Sequence, residues 1–229
     1  MKEYELILVD ADETLFDFAA AERSAVERTF SGLDAPVPYD ELVASYHAVN
    51  VQVWKEVEEG TMDTRRLRAE RFRRLFDRYG MDHSAEEVGE RFIAALSEGH
   101  TLLEGAEEFC RRWSALAPIL IVTNGIADVQ RSRVGRSVVR PFIRDIVISE
   151  EVGASKPHPA MFDAAFRLAG RTDRSRVLMI GDSLTSDILG GIRYGIDTCW
   201  INPRGVPNTL PEEPTYMVRS IAEISHGIT

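Results

Sequence analysis

The chain has 229 residues, of which 44% are hydrophobic and 28% are charged, and its formal net charge is −10. This length suits one substantial domain, or one core with a smaller inserted domain, and the composition is that of an ordinary globular protein. The negative charge disfavours a nucleic-acid polymer or an anionic membrane surface as a partner.

Three further features predict the compartment. The chain passes from Met1 directly into an apolar run, so we predict no signal peptide. Its apolar stretches all fall short of the ~20 residues needed to cross a bilayer. The two cysteines, Cys110 and Cys199, are far apart in the sequence, which is typical of a reducing compartment. We therefore expect a cytoplasmic protein without a membrane partner, as a monomer or a weak homodimer.

The first predicted element is a buried parallel strand over residues 4–9, which are rich in strand-forming side chains. Two carboxylates, Asp10 and Asp12, follow it at the edge where open α/β sheets bind ligands. Burying both is costly without a cation, and hard divalent cations prefer oxygen ligands. The alternative is that one of them only caps the following helix.

Residues 17–97 carry a helical pattern that is interrupted by turn signals. We predict four helices, with a capping box of Ser84 and Glu87 at the start of the last one. Their predicted bounds are 17–31, 39–59, 63–79 and 84–97.

From about residue 100 the pattern changes to short apolar runs separated by helical segments. This alternation predicts a parallel sheet covered by helices. The predicted strands are 119–122, 146–148, 177–180, 198–201 and an edge strand at 216–218. The expected fold is an α/β protein with a parallel, Rossmann-like sheet core. We predict that residues 1–16 and 98–229 form this core and that residues 17–97 form an inserted four-helix cap domain.

Polar side chains follow these strands or precede the next helix. Thr123 and Asn124 end the second strand, Lys156 lies in a loop, and Asp182 and Asp187 follow the fourth strand. The carboxyl ends of parallel strands meet at one edge, so we expect these groups to gather beside the first two carboxylates. Together they suit a divalent metal and a phosphate. Taken singly, Thr123-Asn124 is more typical of a turn and Lys156 of a surface charge, and the segment of Asp182 is a common strand-to-helix connection with a helix cap.

Four segments resemble, in order, the four motifs of the haloacid dehalogenase (HAD) superfamily. They are Asp10-Ala11-Asp12-Glu13-Thr14, Thr123-Asn124, Lys156-Pro157 and Gly181-Asp182-Ser183-Leu184-Thr185-Ser186-Asp187. The helical insert resembles the four-helix cap of that superfamily. Segments 147–153, 181–188 and 190–200 resemble the YjjG type of pyrimidine 5′-nucleotidase. Glu13 stands where Asp or Gly is more usual, and we expect no change of reaction from it.

The resemblance implies an Mg²⁺-dependent phosphomonoester hydrolase that acts through an aspartyl-phosphate. It assigns Asp10 as the nucleophile and Asp12 as the general acid and base. It implies that Mg²⁺ is held by Asp10, by the main-chain carbonyl of Asp12 and by Asp182. Asp187 would ligate through water or orient the motif lysine.

The resemblance also implies that Thr123 and Asn124 bind the transferring phosphoryl oxygens and that Lys156 binds beside them and shields the charge between nucleophile and phosphate. An insert directly after the first strand can close over the crevice and exclude water, so the substrate should be small. We expect a small phosphorylated metabolite, in particular a pyrimidine nucleoside 5′-monophosphate, and no nucleic-acid polymer.

Other functions on the same scaffold stay open. A hydrolytic dehalogenase releases a halide, which needs no proton, so Asp12 would be superfluous. A phosphonate-cleaving relative needs a cap lysine, and Lys55 is the one candidate. A sugar-phosphate phosphatase or phosphomutase would retain Asp12, and a regulatory or binding module would keep the motifs without turnover. The arginine-rich stretch 65–74 is either a solvated helix or a surface that attracts anionic substrates.

Overall fold

The computed structural model describes residues 2–224. It divides into two compact units. One unit combines the chain up to Phe18 with the chain from His100 onward, and the other is Ala19–Gly99. The first unit is the α/β core and the second is helical.

Within the described residues, six strands form one sheet. They are β1 (Leu6–Val9), β2 (Ile119–Thr123), β3 (Ile143–Ile148), β4 (Val177–Gly181), β5 (Asp197–Ile201) and β6 (Tyr216–Val218). The strand order is β3-β2-β1-β4-β5-β6, and every neighbouring pair is parallel. This is the order of the doubly wound Rossmann-like fold, so the predicted fold class is confirmed.

The helices alternate with the strands in the core and are consecutive in the insert. They are α1 (Phe18–Phe30), α2 (Tyr39–Glu58), α3 (Thr64–Tyr79), α4 (Ala85–Leu96), α5 (Ala106–Ser114), α6 (Ala127–Arg136), α7 (Ser149–Val152), α8 (Pro159–Ala169), α9 (Leu189–Tyr194) and α10 (Ile221–Ile224). Among the described residues, no helix combines the length and the apolar character needed to cross a membrane.

The central strand β1 is buried on both faces, which explains its uninterrupted apolar sequence. Ile7 and Val9 belong to the apolar cluster that contains the α5 side chains, whereas Leu6 and Leu8 belong to the cluster that contains those of α8. Helices therefore cover both faces of the sheet, and the polar chemistry is left to the strand ends.

Strand β3 is longer than predicted. The sequence indicated only residues 146–148, but the strand begins at Ile143 and includes the exposed charged residues Arg144 and Asp145. These two residues hide the strand from a search for apolar runs.

The insert packs its four helices around aromatic side chains. Five pairs of aromatic rings have centroids 5.5–6.4 Å apart. The rings belong to Phe30, Tyr46, Phe72 and Phe92. The last helix begins one residue later than predicted because Ser84 is its N-cap and accepts a hydrogen bond from the backbone of Glu87. The predicted helix 17–31 extends one residue beyond the observed one at each end, whereas the predictions 39–59 and 63–79 each extend one residue too far at one end.

Candidate active site

Three carboxylates meet at the carboxyl ends of two neighbouring strands. Asp10 follows β1 directly and donates its backbone N–H to the carbonyl of Ile180 in β4, at 2.9 Å. Asp182 and Asp187 follow β4. One oxygen of each of the three carboxylates lies within 4.8 Å of the others. This donor set is suited to a hard divalent cation.

Lys156 joins this cluster from the loop before α8. Its Nζ donates to Asp10 Oδ1 at 2.5 Å and to the Val122 carbonyl at 2.5 Å, and it forms an ion pair with Asp187 Oδ1 at 2.7 Å. Only 2% of the residue is exposed. Burial opposes the charge, but the carboxylates of Asp10 and Asp187 outweigh it and hold the pKa of Lys156 above its usual value.

The carboxylates repel one another in this buried position. Burial is the largest cause that raises the pKa of Asp10 well above its usual value; Lys156 lowers it, and the nearby aspartates raise it further. Burial and then the charge of Asp187 raise the pKa of Asp182 to about 7, against the opposing effect of Lys156. One lysine does not balance three carboxylates, so a divalent cation would stabilise the ionised cluster.

The segment after β4 is shaped to place Asp187. A π-helical turn spans Leu184–Ile188, and Asp187 Oδ2 accepts the backbone N–H of Ser183 at 3.1 Å. A Cβ added at Gly181 would collide with the carboxylate of Asp187. Trp200 in β5 donates its indole N–H to the carbonyl of Asp182 at 2.9 Å. Gly181 in β4 thus leaves space for the carboxylate of Asp187, and Trp200 in β5 holds the backbone of Asp182.

The end of β2 contributes Thr123 and Asn124. Thr123 is buried at the last position of the strand, next to the carbonyl that accepts the Lys156 ammonium. The side chain of Asn124 donates to the backbone carbonyl of Lys156 at 2.9 Å and accepts its N–H at 2.7 Å. The amide side chain therefore holds the lysine loop in place, a contribution that the sequence did not indicate.

Asp12 is held by a different set of partners. Gln130 Nε2 donates to Asp12 Oδ2 at 2.7 Å, and Arg133 Nη1 pairs with Asp12 Oδ1. Both partners lie on α6, three residues apart. Sequence reasoning missed them, and the available signal was their spacing on the helix that follows the Thr123 segment.

The turn after Asp10 explains why glycine is more usual at the position of Glu13. Glu13 has a φ of 57°, in the left-handed region, and donates its N–H to the carbonyl of Phe16 at 2.9 Å. This conformation costs a residue with a Cβ about 1–2 kcal/mol. Glu13 adopts it, so the tight turn that carries Asp12 is formed without a glycine.

Comparisons with known proteins identify the family. The family model described as haloacid dehalogenase-like hydrolase matches residues 4–195. The chain therefore belongs to the haloacid dehalogenase-like hydrolases, as its motifs predicted.

Three bacterial relatives match nearly the whole chain. It is 38% identical to the pyrimidine 5′-nucleotidase YjjG of Escherichia coli, over 96% of each protein. It is 31% identical to the pyrimidine 5′-nucleotidase PynA of Streptococcus pneumoniae, over 96% of this chain and 93% of that one. It is 36% identical to the HAD-hydrolase YfnB of Bacillus subtilis, over 99% of this chain and 96% of that one. The crystal structure of YfnB bound to magnesium matches with a TM-score of 0.87 over 98% of each chain.

Proposed function

We propose that the protein is an Mg²⁺-dependent phosphatase that hydrolyses pyrimidine nucleoside 5′-monophosphates through an aspartyl-phosphate. The observation that carries the reaction class is the buried ammonium of Lys156 between Asp10 and Asp187, beside the carboxylate of Asp182. Such a group combines a nucleophile with a fixed positive charge and a cation site. The two pyrimidine 5′-nucleotidases that match nearly the whole chain support the substrate class.

In the first half-reaction the carboxylate of Asp10 attacks phosphorus, and the bond from phosphorus to the 5′-oxygen of the nucleoside breaks. Asp12 donates a proton to the departing oxygen. Lys156 balances the charge of the phosphoryl oxygens, and the hydroxyl of Thr123 donates a hydrogen bond to one of them. The products of this half-reaction are the nucleoside and an aspartyl-phosphate on Asp10.

In the second half-reaction a water molecule attacks phosphorus, and Asp12 accepts its proton. The bond from phosphorus to the carboxylate of Asp10 breaks and orthophosphate leaves. The same side chain therefore serves as acid and then as base.

The carboxylates of Asp10 and Asp182 and the main-chain carbonyl of Asp12 would hold the cation, and Asp187 would contribute through water. A bound Mg²⁺ would neutralise the carboxylates and the charge on the transferring phosphoryl group. The magnesium-bound structure of YfnB supports this choice of cation.

We assign the unit Ala19–Gly99 the role of a cap that selects the leaving group. The role of a Schiff-base lysine is disfavoured for Lys55, because its side chain is 73% exposed and lies 3.7 Å from the carboxylate of Glu59. Arg66, Arg73 and Arg74 of α3 form ion pairs within the unit, as in the pair of Arg74 with Glu56 at 2.6 Å. These contacts favour a solvated helix over an anion-collecting surface.

The test is the release of orthophosphate from a panel of substrates with Mg²⁺ and with excess chelator. We expect kcat/KM for dUMP, dTMP and UMP to exceed that for AMP, GMP and hexose phosphates by about tenfold or more. A hexose phosphate that is preferred by about tenfold would replace the nucleotidase with a sugar-phosphate phosphatase or mutase. Full activity in chelator would contradict the metal requirement. Halide release from 2-haloacids without phosphate release would identify a dehalogenase.

A further inference from the structure

We propose that Arg133 and Gln130 are positioning residues that hold the carboxylate of Asp12 in the orientation needed for proton transfer. This inference rests on the role given to Asp12 in the proposed function. It adds two side chains of α6 that act through Asp12 and have no assigned contact with the phosphoryl group or the cation.

The two oxygens of the Asp12 carboxylate have separate hydrogen-bond donors. Gln130 Nε2 donates to Oδ2 of Asp12 at 2.7 Å, and Arg133 Nη1 pairs with Oδ1. Residues three apart on a helix project from the same face, so one helix supplies both donors. A carboxylate held at both oxygens cannot rotate freely about its terminal bond. Orientation of the reacting groups is a large part of catalysis.

Arg133 is itself held in place by its buried surroundings. Its side chain is fully buried, and its guanidinium carbon lies 4.9 Å from the ring centroid of Phe16 and 5.8 Å from that of Phe18. A buried guanidinium needs hydrogen-bond acceptors, and Oδ1 of Asp12 is one of them. The side chain of Asp12 is 26% exposed, so it is the accessible end of an otherwise buried pair. Proton exchange with a substrate or a water requires this access.

The first turn of α6 is held by a hydrogen bond to α7. The backbone N–H of Ala127 donates to Glu150 Oε2 at 2.7 Å. Gly125 leaves room for Gln130, because a Cβ at that position would collide with the Gln130 side chain. The helix that carries the two donors is thus fixed to β3 through α7 and to the turn after β2.

The experiment is a double-mutant cycle between Arg133→Met and Asp12→Asn, read as kcat for UMP. Arg133→Met should lower kcat roughly 10- to 100-fold with unchanged KM and unchanged inhibition by orthophosphate. In the Asp12→Asn background the same substitution should change kcat by less than about twofold, because the group it positions is already lost. Gln130→Leu should follow the same pattern with a smaller effect, and it serves as the test if Arg133→Met does not fold.

A second readout separates positioning from general damage. The 4-nitrophenolate leaving group needs no proton, so single-turnover release from 4-nitrophenyl phosphate should stay near the wild-type rate in Arg133→Met. Arg131→Met is the matched control, since Arg131 is exposed on the same helix and pairs with Glu151 at 2.7 Å. It should retain the wild-type kcat.

An equal loss from Arg133→Met in the wild-type and Asp12→Asn backgrounds would overturn the inference, as would a wild-type kcat in both Arg133→Met and Gln130→Leu. In those outcomes phosphate release that is slow in Asp12→Asn would still support the proposed function. A wild-type kcat in Asp12→Asn would instead remove the role of Asp12, and the inference with it.

Discussion

A single buried lysine organises the charges of the candidate site. Lys156 forms ion pairs with both Asp10 and Asp187. Asp182, the third carboxylate of the cluster, has an oxygen within 4.8 Å of an oxygen of each of the other two. The arrangement keeps the proposed nucleophile next to a fixed positive charge. With the three carboxylates ionised, two negative charges remain for a metal to balance. Asp12 is kept apart from this group by its own partners on α6. The two aspartates of the first motif therefore have different environments and can have different roles.

The two roles predict different defects. Asp10→Asn should abolish turnover because the nucleophile is gone, while Asp12→Asn should still bind phosphate mimics and turn over at least ~10²-fold more slowly, the usual size of an acid–base contribution. The measurements are steady-state phosphate release and inhibition by orthophosphate. Asp173→Asn is the control, because Asp173 is an exposed carboxylate that accepts a hydrogen bond from the hydroxyl of Ser175. It should keep the wild-type rate. A wild-type rate in either variant of the first motif would contradict its assignment.

The raised pKa of Asp182 predicts a pH dependence of stability. Between the ordinary carboxyl pKa of ~3.9 and the value of about 7 in the fold, the folded state binds more protons than the unfolded state. The free energy of unfolding of the metal-free protein should therefore fall as pH rises through this window. Mg²⁺ competes with these protons, so it should raise Tm more at about pH 8 than at about pH 5.

Thermal unfolding of chelator-treated protein, with and without Mg²⁺, measures this difference. Asp182→Asn should reduce the Mg²⁺-dependent gain in Tm at the higher pH, because it removes a charged ligand. An equal gain at both pH values in the wild type would show that these carboxylates do not bind the cation.

Residues that follow strands were predictable, and residues that support them were not. The sequence indicated Asp10, Lys156 and Asp182 because parallel strands bring their ends to one edge. It did not indicate Gln130 or Arg133, because their contribution depends on which face of α6 points to the first motif. Tertiary packing determines which face of α6 points to the first motif. The helical pattern of the sequence contains little information about that packing.

At the scale of elements, the connection from β4 to α9 carries the most specific geometry. The π-helical turn Leu184–Ile188 places a buried carboxylate over the end of its own strand, and Gly181 leaves the space for it. π-helical turns are rare in proteins, and those that occur are often found at functional sites. The sequence indicated a strand and a following helix here, but an unusual helical turn has no simple hydrophobic period, so it was not foreseen.

A pair of glycine substitutions tests this geometry. Gly181→Ala should displace the Asp187 carboxylate and lower kcat by about tenfold or more, because the partner of Lys156 moves. Gly135→Ala is the matched control, since a Cβ at that position of α6 would meet open space. It should keep full activity and stabilise the helix by about 0.5–1 kcal/mol. Equal kcat values for the two variants would contradict the packing argument.

At the scale of the whole molecule, the strand order explains why the site lies where it does. The strand β1 lies between β2 and β4 in the sheet, so the first motif has the second and fourth motifs on either side. The insert separates the first and second motifs in the chain, and the sheet brings their strands together as direct neighbours. The core was predictable because most of its strands are short apolar runs bounded by turn residues, and β3 was predicted only in part because it contains Arg144 and Asp145. The helices of the insert carry packing patterns without a chemical motif, so they indicated no substrate.

Turnover through a phosphoryl group on Asp10 can be detected directly. The measurement is mass spectrometry of the wild-type protein, acid-quenched during turnover of UMP with Mg²⁺. We expect an added phosphoryl group on the peptide that contains Asp10, and its absence in Asp10→Asn and in excess chelator. An adduct on a different residue, or wild-type phosphate release by Asp10→Asn, would contradict it.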